Sequence, residues 1–140
     1  MKPPDEVKRE FVKDWLAKAD ADLAAARHLL KGGEAFASTV AFHAQQAAEK
    51  HLKAMLVWRQ VEFSKTHDVA QILDLVRVFD TALADELSAA VDLTVYAVAV
   101  RYPSEMPEPS LDEAKEALVV AEKVRGAILK RLPTGLGSPG

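Results

Sequence analysis

Apolar residues recur along this chain at steps of three and four, and the runs break at glycine and proline. The first run, Phe11, Trp15, Ala19, Leu23, Ala26 and Leu30, marks one face of a helix placed at about residues 4 to 30. Pro4 suits its first turn, and Gly32 with Gly33 ends it. A second helix, about residues 34 to 57, turns Phe36, Val40, Ala44, Ala47, Ala48, Met55 and Leu56 toward the core. Thr66 or Asp68 can cap a short third helix whose buried side is Val69, Ile72, Leu73 and Val76. A fourth begins near Thr81 with the stripe Leu83, Leu87, Val91, Thr94 and Val98, which Arg101 continues. The prolines of "YPSEMPEPS" make Tyr102 to Ser110 a rigid connection. Ser110 and Glu113 then read as a capping box opening a last helix that buries Leu111, Ala114, Leu118, Ala121, Val124 and Ile128.

Such a pattern predicts an all-α fold, an antiparallel up-and-down bundle of four to five helices. One domain is expected over residues 1–132, followed by a flexible tail, "PTGLGSPG", at 133–140. Composition narrows the function. A net charge of −3 argues against the broad positive field that non-specific duplex binding needs, and leaves room for a local basic patch. With no cysteine there is neither a disulfide framework nor a thiolate metal site. The polar start "MKPPDEVKRE" lacks the apolar segment of a leader, and no stretch approaches the roughly 18 unbroken apolar residues of a membrane span. A soluble cytoplasmic protein with no membrane association is expected.

The second helix raises the chemical question. His43, Gln46, Lys50 and Lys53 fall at i, i+3, i+7 and i+10 and form one polar stripe, with Gln45 and Glu49 about 100° away. One reading is a groove offering amides, a carboxylate and ammonium groups to a phosphate-bearing ligand or a partner. The plain reading is a solvated face on which Glu49 and Lys53 make an ordinary i, i+4 pair. The histidines His28, His43, His51 and His67 lack metal-ligand spacing on a helix. Ser64, His67 and Asp68 are the residue types of a hydrolase triad, but within one turn they are better explained by helix capping. Arg101, at the end of an apolar stripe and followed by Tyr102 and a proline, calls for a carboxylate such as Glu49 or Asp22, a bound anion, or an opening to solvent. Tyr96 and Tyr102 share one side of the fourth helix and suit either an interface or the core.

The segments "FHAQQAAEKHLKAML", "FSKTHDVAQIL" and "YAVAVRYP", in this order and at these intervals, resemble the bacterial and archaeal branch of the HEPN family. The name stands for higher eukaryotes and prokaryotes nucleotide-binding, and the likeness spans about Phe11 to Leu132. It implies a helical bundle, a homodimer, and a partner that is a minimal nucleotidyltransferase in a toxin–antitoxin pair. It also implies a nucleotide or RNA as ligand, with no cofactor besides. The residues it points to for nucleotide or partner binding are Gln45, Gln46, Glu49, Lys50, Lys53, Arg101 and Tyr102. Some HEPN proteins are ribonucleases with an Arg followed after four to six residues by a His. Arg101 would be that Arg, yet "YPSEMPEPSL" holds no His. A ribonuclease would then need Arg101 with a displaced base, His67 or His43. A binding module without catalysis of its own fits better, and a ligand-free helical dimerisation scaffold is the third alternative.

Overall fold

In a computed structural model, residues 4–101 and 108–136 are described, the side chains of 98–101 excepted. Helix α1 runs Pro4–Leu30 and α2 Ala37–Trp58, joined through a 3₁₀ turn at Gly33–Phe36. Helices α3 (Val69–Arg77), α4 (Thr81–Glu86) and α5 (Thr94–Arg101) are short, and α6 (Leu111–Arg131) is long. The expected all-helical bundle is present. Contacts such as Asp22–His43 at one end and Trp15–Lys53 toward the other show α1 and α2 to be antiparallel. Arg27–Glu122 and Asp20–Arg125 show the same for α1 and α6.

The face of α1 is rotated from the one the pattern suggests. Ala19, Leu23 and Ala26 are buried, but toward the N-terminus Val12 and Leu16 fill the core, and Phe11 is 56% exposed. Both registers satisfy a 3.6-residue period, and only the packing partner selects between them. Phe36 likewise sits in the 3₁₀ turn and is exposed. The expected fourth helix is broken: Leu87, Ala90 and Leu93 are buried across a 3₁₀ segment at Ser88–Leu93, and Val91 is exposed. Spacing of three is the 3₁₀ repeat, so the stripe slips by one residue there. The side chains of Val98 and Arg101, and all of Tyr102, lie outside the described residues.

Helix α2 is the central element. Between Ala44 and Leu56 every residue except Gln46 and Lys50 is buried, because α1, α6, α3 and α5 surround it. Alanines at 41, 44, 47, 48 and 54 let those neighbours approach closely. Leu132 and Leu136 complete the same core beyond α6. Helix α2 ends in a Schellman motif: Gln60 N–H donates to Val57 O and Val61 N–H to Leu56 O, with Gln60 at φ 57°. That turn sends residues 59–68 back across α1. Asp68 caps α3 by accepting from Ala70 N–H, as expected, and Thr66 Oγ1 accepts from Asp68 N–H. The Ser110–Glu113 capping box forms with both of its bonds.

Candidate functional site

Glu49 is 2% exposed, so its charge must be met inside the protein. Its Oε1 accepts from Gln45 Nε2 at 2.9 Å and lies 2.8 Å from His67 Nδ1, while Oε2 accepts from Lys53 Nζ at 3.0 Å. Lys53, 5% exposed, also donates to Thr66 O at 3.0 Å. Its ammonium lies 5.7 Å from the ring centres of both Trp15 and Phe63. Those two rings pack edge to face, 6.1 Å apart. Gln46 Nε2 donates to Gln45 Oε1 at 2.6 Å and extends the network outward. The expectation of a solvated helix face is thus corrected for Gln45, Glu49 and Lys53. The i, i+4 pair exists, but α1 and the 59–68 loop cover it.

His43 and Lys50 hold a separate carboxylate. Asp22 on α1 lies 2.8 Å from His43 Nδ1 through Oδ1 and accepts from Lys50 Nζ at 2.6 Å through Oδ2. His43 thus pairs with Asp22, and His67 with Glu49.

Above Lys53 opens a cleft of about 620 Å³, the size range of small-molecule sites. Trp15 and Phe63 form its apolar wall; Lys18, Lys50, Lys53 and Lys65 bring four ammonium groups to it; Gln46, Glu49, Ser64 and His67 complete the polar lining. Lys50 and Lys53 are neutralised by Asp22 and Glu49, whereas Lys18 and Lys65 are exposed and have no ion-pair partner among the described residues. The cleft therefore carries a surplus of positive charge beside two aromatic rings. Of the residues singled out in the sequence, Gln46, Glu49, Lys50, Lys53, Ser64 and His67 converge here, with Gln45 bonded behind them. His43 is tied in only through Asp22 and Lys50. Arg101's side chain and Tyr102, with the question whether Glu49 meets Arg101, fall outside the described residues.

Sequence reasoning misses Trp15, Lys18, Phe63 and Lys65 as site residues. The apolar pattern places Trp15 in the core, although Trp15 and Lys18 at i, i+3 on α1 are a basic–aromatic pair that could have signalled the site. Tyr96 is remote, in a hollow with Asp92, Glu113 and Glu116, where burial and the nearby Glu113 and Asp92 carboxylates push its hydroxyl pKa up. Among the described residues no cluster of three His, Asp or Glu side chains is placed to hold a metal, and no helix is long and apolar enough to cross a membrane.

A fully buried histidine, His51, sits between α1, α2 and α6. His51 Nδ1–H donates to Ala47 O at 2.8 Å, which leaves Nε2 as a bare lone pair 3.4 Å from Asp20 Oδ1 and without a hydrogen bond. Asp20 in turn accepts from Arg125 Nε at 2.9 Å. Burial, aided by Arg125, lowers the His51 pKa from 6.5; the Ala47 bond and Asp20 oppose this without reversing it. The unfolded chain therefore binds the proton more readily, so His51's contribution is fully present above about pH 6.5 and falls as the pH drops below it. Urea midpoints measured from pH 7.5 down to 5.5 are expected to decline, and His51→Gln to flatten that slope. Parallel slopes for the two proteins would contradict it.

Residues 12–132 match the HEPN domain family, and the chain belongs to that family. Two solved structures agree with the fold. TT1696 from Thermus thermophilus is 30% identical, covering 86% of this chain and 98% of that one, with a TM-score of 0.70. ST0689, an archaeal HEPN homologue, is 26% identical over 86% of this chain and 96% of that one, with a TM-score of 0.67. No curated protein is significantly similar to the chain.

Proposed function

We propose that this chain is a nucleotide-binding HEPN module, a homodimer acting beside a minimal nucleotidyltransferase in a toxin–antitoxin pair and without catalysis of its own. The observation that carries it is the cleft, where cations beside aromatic rings match the phosphates and base of a nucleotide. Family membership supports a nucleotide as ligand and the nucleotidyltransferase as partner. The absence of a histidine after Arg101 at the ribonuclease spacing supports a binding role. Calorimetric titration with ATP, GTP, CTP and UTP tests the ligand. Native mass spectrometry of protein drawn gently from its own cells tests the dimer and the partner. No heat with any of the four, together with a bare chain of monomer mass, would defeat the proposal.

A ribonuclease has one observation in its favour. His67 lies in the cleft with Nδ1 against Glu49, an arrangement by which a carboxylate orients an imidazole for proton transfer. RNA cleavage by the wild type beside His67→Ala and Arg101→Ala decides it, since equal background in all three removes the idea.

A further inference from the structure

One stripe of α1 faces away from the core. Val7, Phe11, Asp14, Lys18, Ala21 and Ala25 recur at steps of four and three, which sets them in one line along the helix. Phe11, Asp14, Lys18 and Ala21 are exposed, and Val7 and Ala25 are half-buried. The Phe11 ring has been left in water by the register that buries Val12 and Leu16, and beside it opens a hollow of about 230 Å³. Asp14 and Lys18 have the i, i+4 spacing of an intrahelical ion pair, yet none forms, and neither has another ion-pair partner among the described residues. The stripe also has an order: larger apolar side chains first, opposite charges in the middle, alanines last. Turned end for end, it meets its own complement. Phe11 and Ala21 lie five residues either side of Leu16, Val7 and Ala25 nine, and Asp14 and Lys18 two. A two-fold axis level with Leu16 therefore sets each of these residues against its counterpart on a second copy, and every pair occurs twice.

We propose that this stripe is the contact between two copies of the chain, α1 antiparallel to α1, each Phe11 ring over the partner's Ala21 and each Asp14 paired with the partner's Lys18. This rests on the homodimer reading above and gives it a surface. A parallel pair would set Asp14 on the partner's Asp14 and Lys18 on the partner's Lys18, so charge selects the antiparallel one. Steps of four and three are the spacing at which two helices interlock side chains over several turns at a shallow crossing angle. Val7 to Ala25 spans about 27 Å at 1.5 Å per residue, and alanines leave the room that a phenylalanine ring fills. One helix face per copy makes a small interface, so the dimer dissociates on dilution and folding does not depend on it. The contact also reaches the cleft. Trp15 and Lys18 line both hollow and cleft, which brings the partner's Asp14 to the cleft's edge. The Lys18 ammonium has three N–H donors, enough for that carboxylate and for an anion in the cleft.

The test is sedimentation equilibrium of the full chain, of Asp14→Lys, of Lys18→Asp, and of an equimolar mixture of the two variants. Both positions are exposed, so the fold is retained, which the unfolding midpoint checks. The wild type is expected to dimerise. Each variant alone is expected to dimerise at least about tenfold more weakly, because two like-charge contacts replace two ion pairs. The mixture is expected to recover the wild-type affinity as a heterodimer, since one variant then meets the other with opposite charges at both contacts. Either variant dimerising as tightly as the wild type, or a mixture as weak as its components, overturns the interface and leaves the homodimer reading to another face. A wild type that stays monomeric at every concentration removes both readings and leaves the stripe to a partner of different sequence.

Discussion

Replacing Glu49 with alanine is expected to lower the free energy of unfolding by about 3–5 kcal/mol, the cost of leaving one member of a buried ion pair alone. The carboxylate is the shared acceptor for Gln45, His67 and Lys53, and Lys53 itself is almost fully buried. Without it the ammonium keeps only Thr66 O and two ring edges or faces at longer range. The loss is therefore dominated by an uncompensated charge rather than by the missing bonds themselves. A second variant separates these causes. Glu49→Leu combined with Lys53→Met removes both charges and keeps apolar volume, so it should recover most of the stability lost by Glu49→Ala. Urea unfolding of the three proteins is the measurement. A Glu49→Ala penalty below about 1 kcal/mol would mean that the pair behaves as an ordinary surface pair.

That pair also shows where sequence reading succeeds and where it stops. The bounds of α1, the Asp68 cap and the Ser110–Glu113 box were legible because each depends on neighbours in the chain. Burial of Glu49 depends on what lies across from it. The polar stripe of α2 has a surface helix's spacing, and only the alanines on its other faces hint that neighbours surround it. The same limit misplaces Phe11, since a period of 3.6 fits either of two adjacent stripes on α1, while Trp15 stays partly buried against the core. The fourth helix fails for a local reason: 3₁₀ geometry over Ser88–Leu93 moves the buried positions from Val91 and Thr94 to Ala90 and Leu93. At the site, the residues on α2 could be named from their spacing. The wall opposite, Trp15 with Phe63, exists only because the Schellman turn at Gln60 folds the 59–68 loop over α1. Contacts made by loop closure carry little periodic signal.

If the cleft holds a nucleotide as proposed, reversing two charges at its rim, Lys18→Glu with Lys65→Glu, is expected to weaken that binding by about 100-fold and leave stability nearly unchanged. Both lysines are exposed, line the cleft and lack an ion-pair partner among the described residues, so the fold does not rely on them. Each charge-assisted contact to phosphate contributes roughly 1.5–3 kcal/mol, so losing even one of them and adding repulsion reaches this magnitude. Lys50 and Lys53 are poorer probes, because reversing either would strand Asp22 or Glu49 and confuse binding with folding. The control is Lys13→Glu with Lys31→Glu, which makes the same change in net charge at exposed positions outside the cleft. Long-range electrostatics predicts equal losses in the two proteins, most of them screened at 0.15 M salt, where the Debye length is about 8 Å. Direct contact in the cleft predicts a loss confined to the Lys18 and Lys65 variant and persisting at that salt. Titration with the tightest-binding nucleoside triphosphate distinguishes the two: equal affinities would place the ligand elsewhere on the molecule.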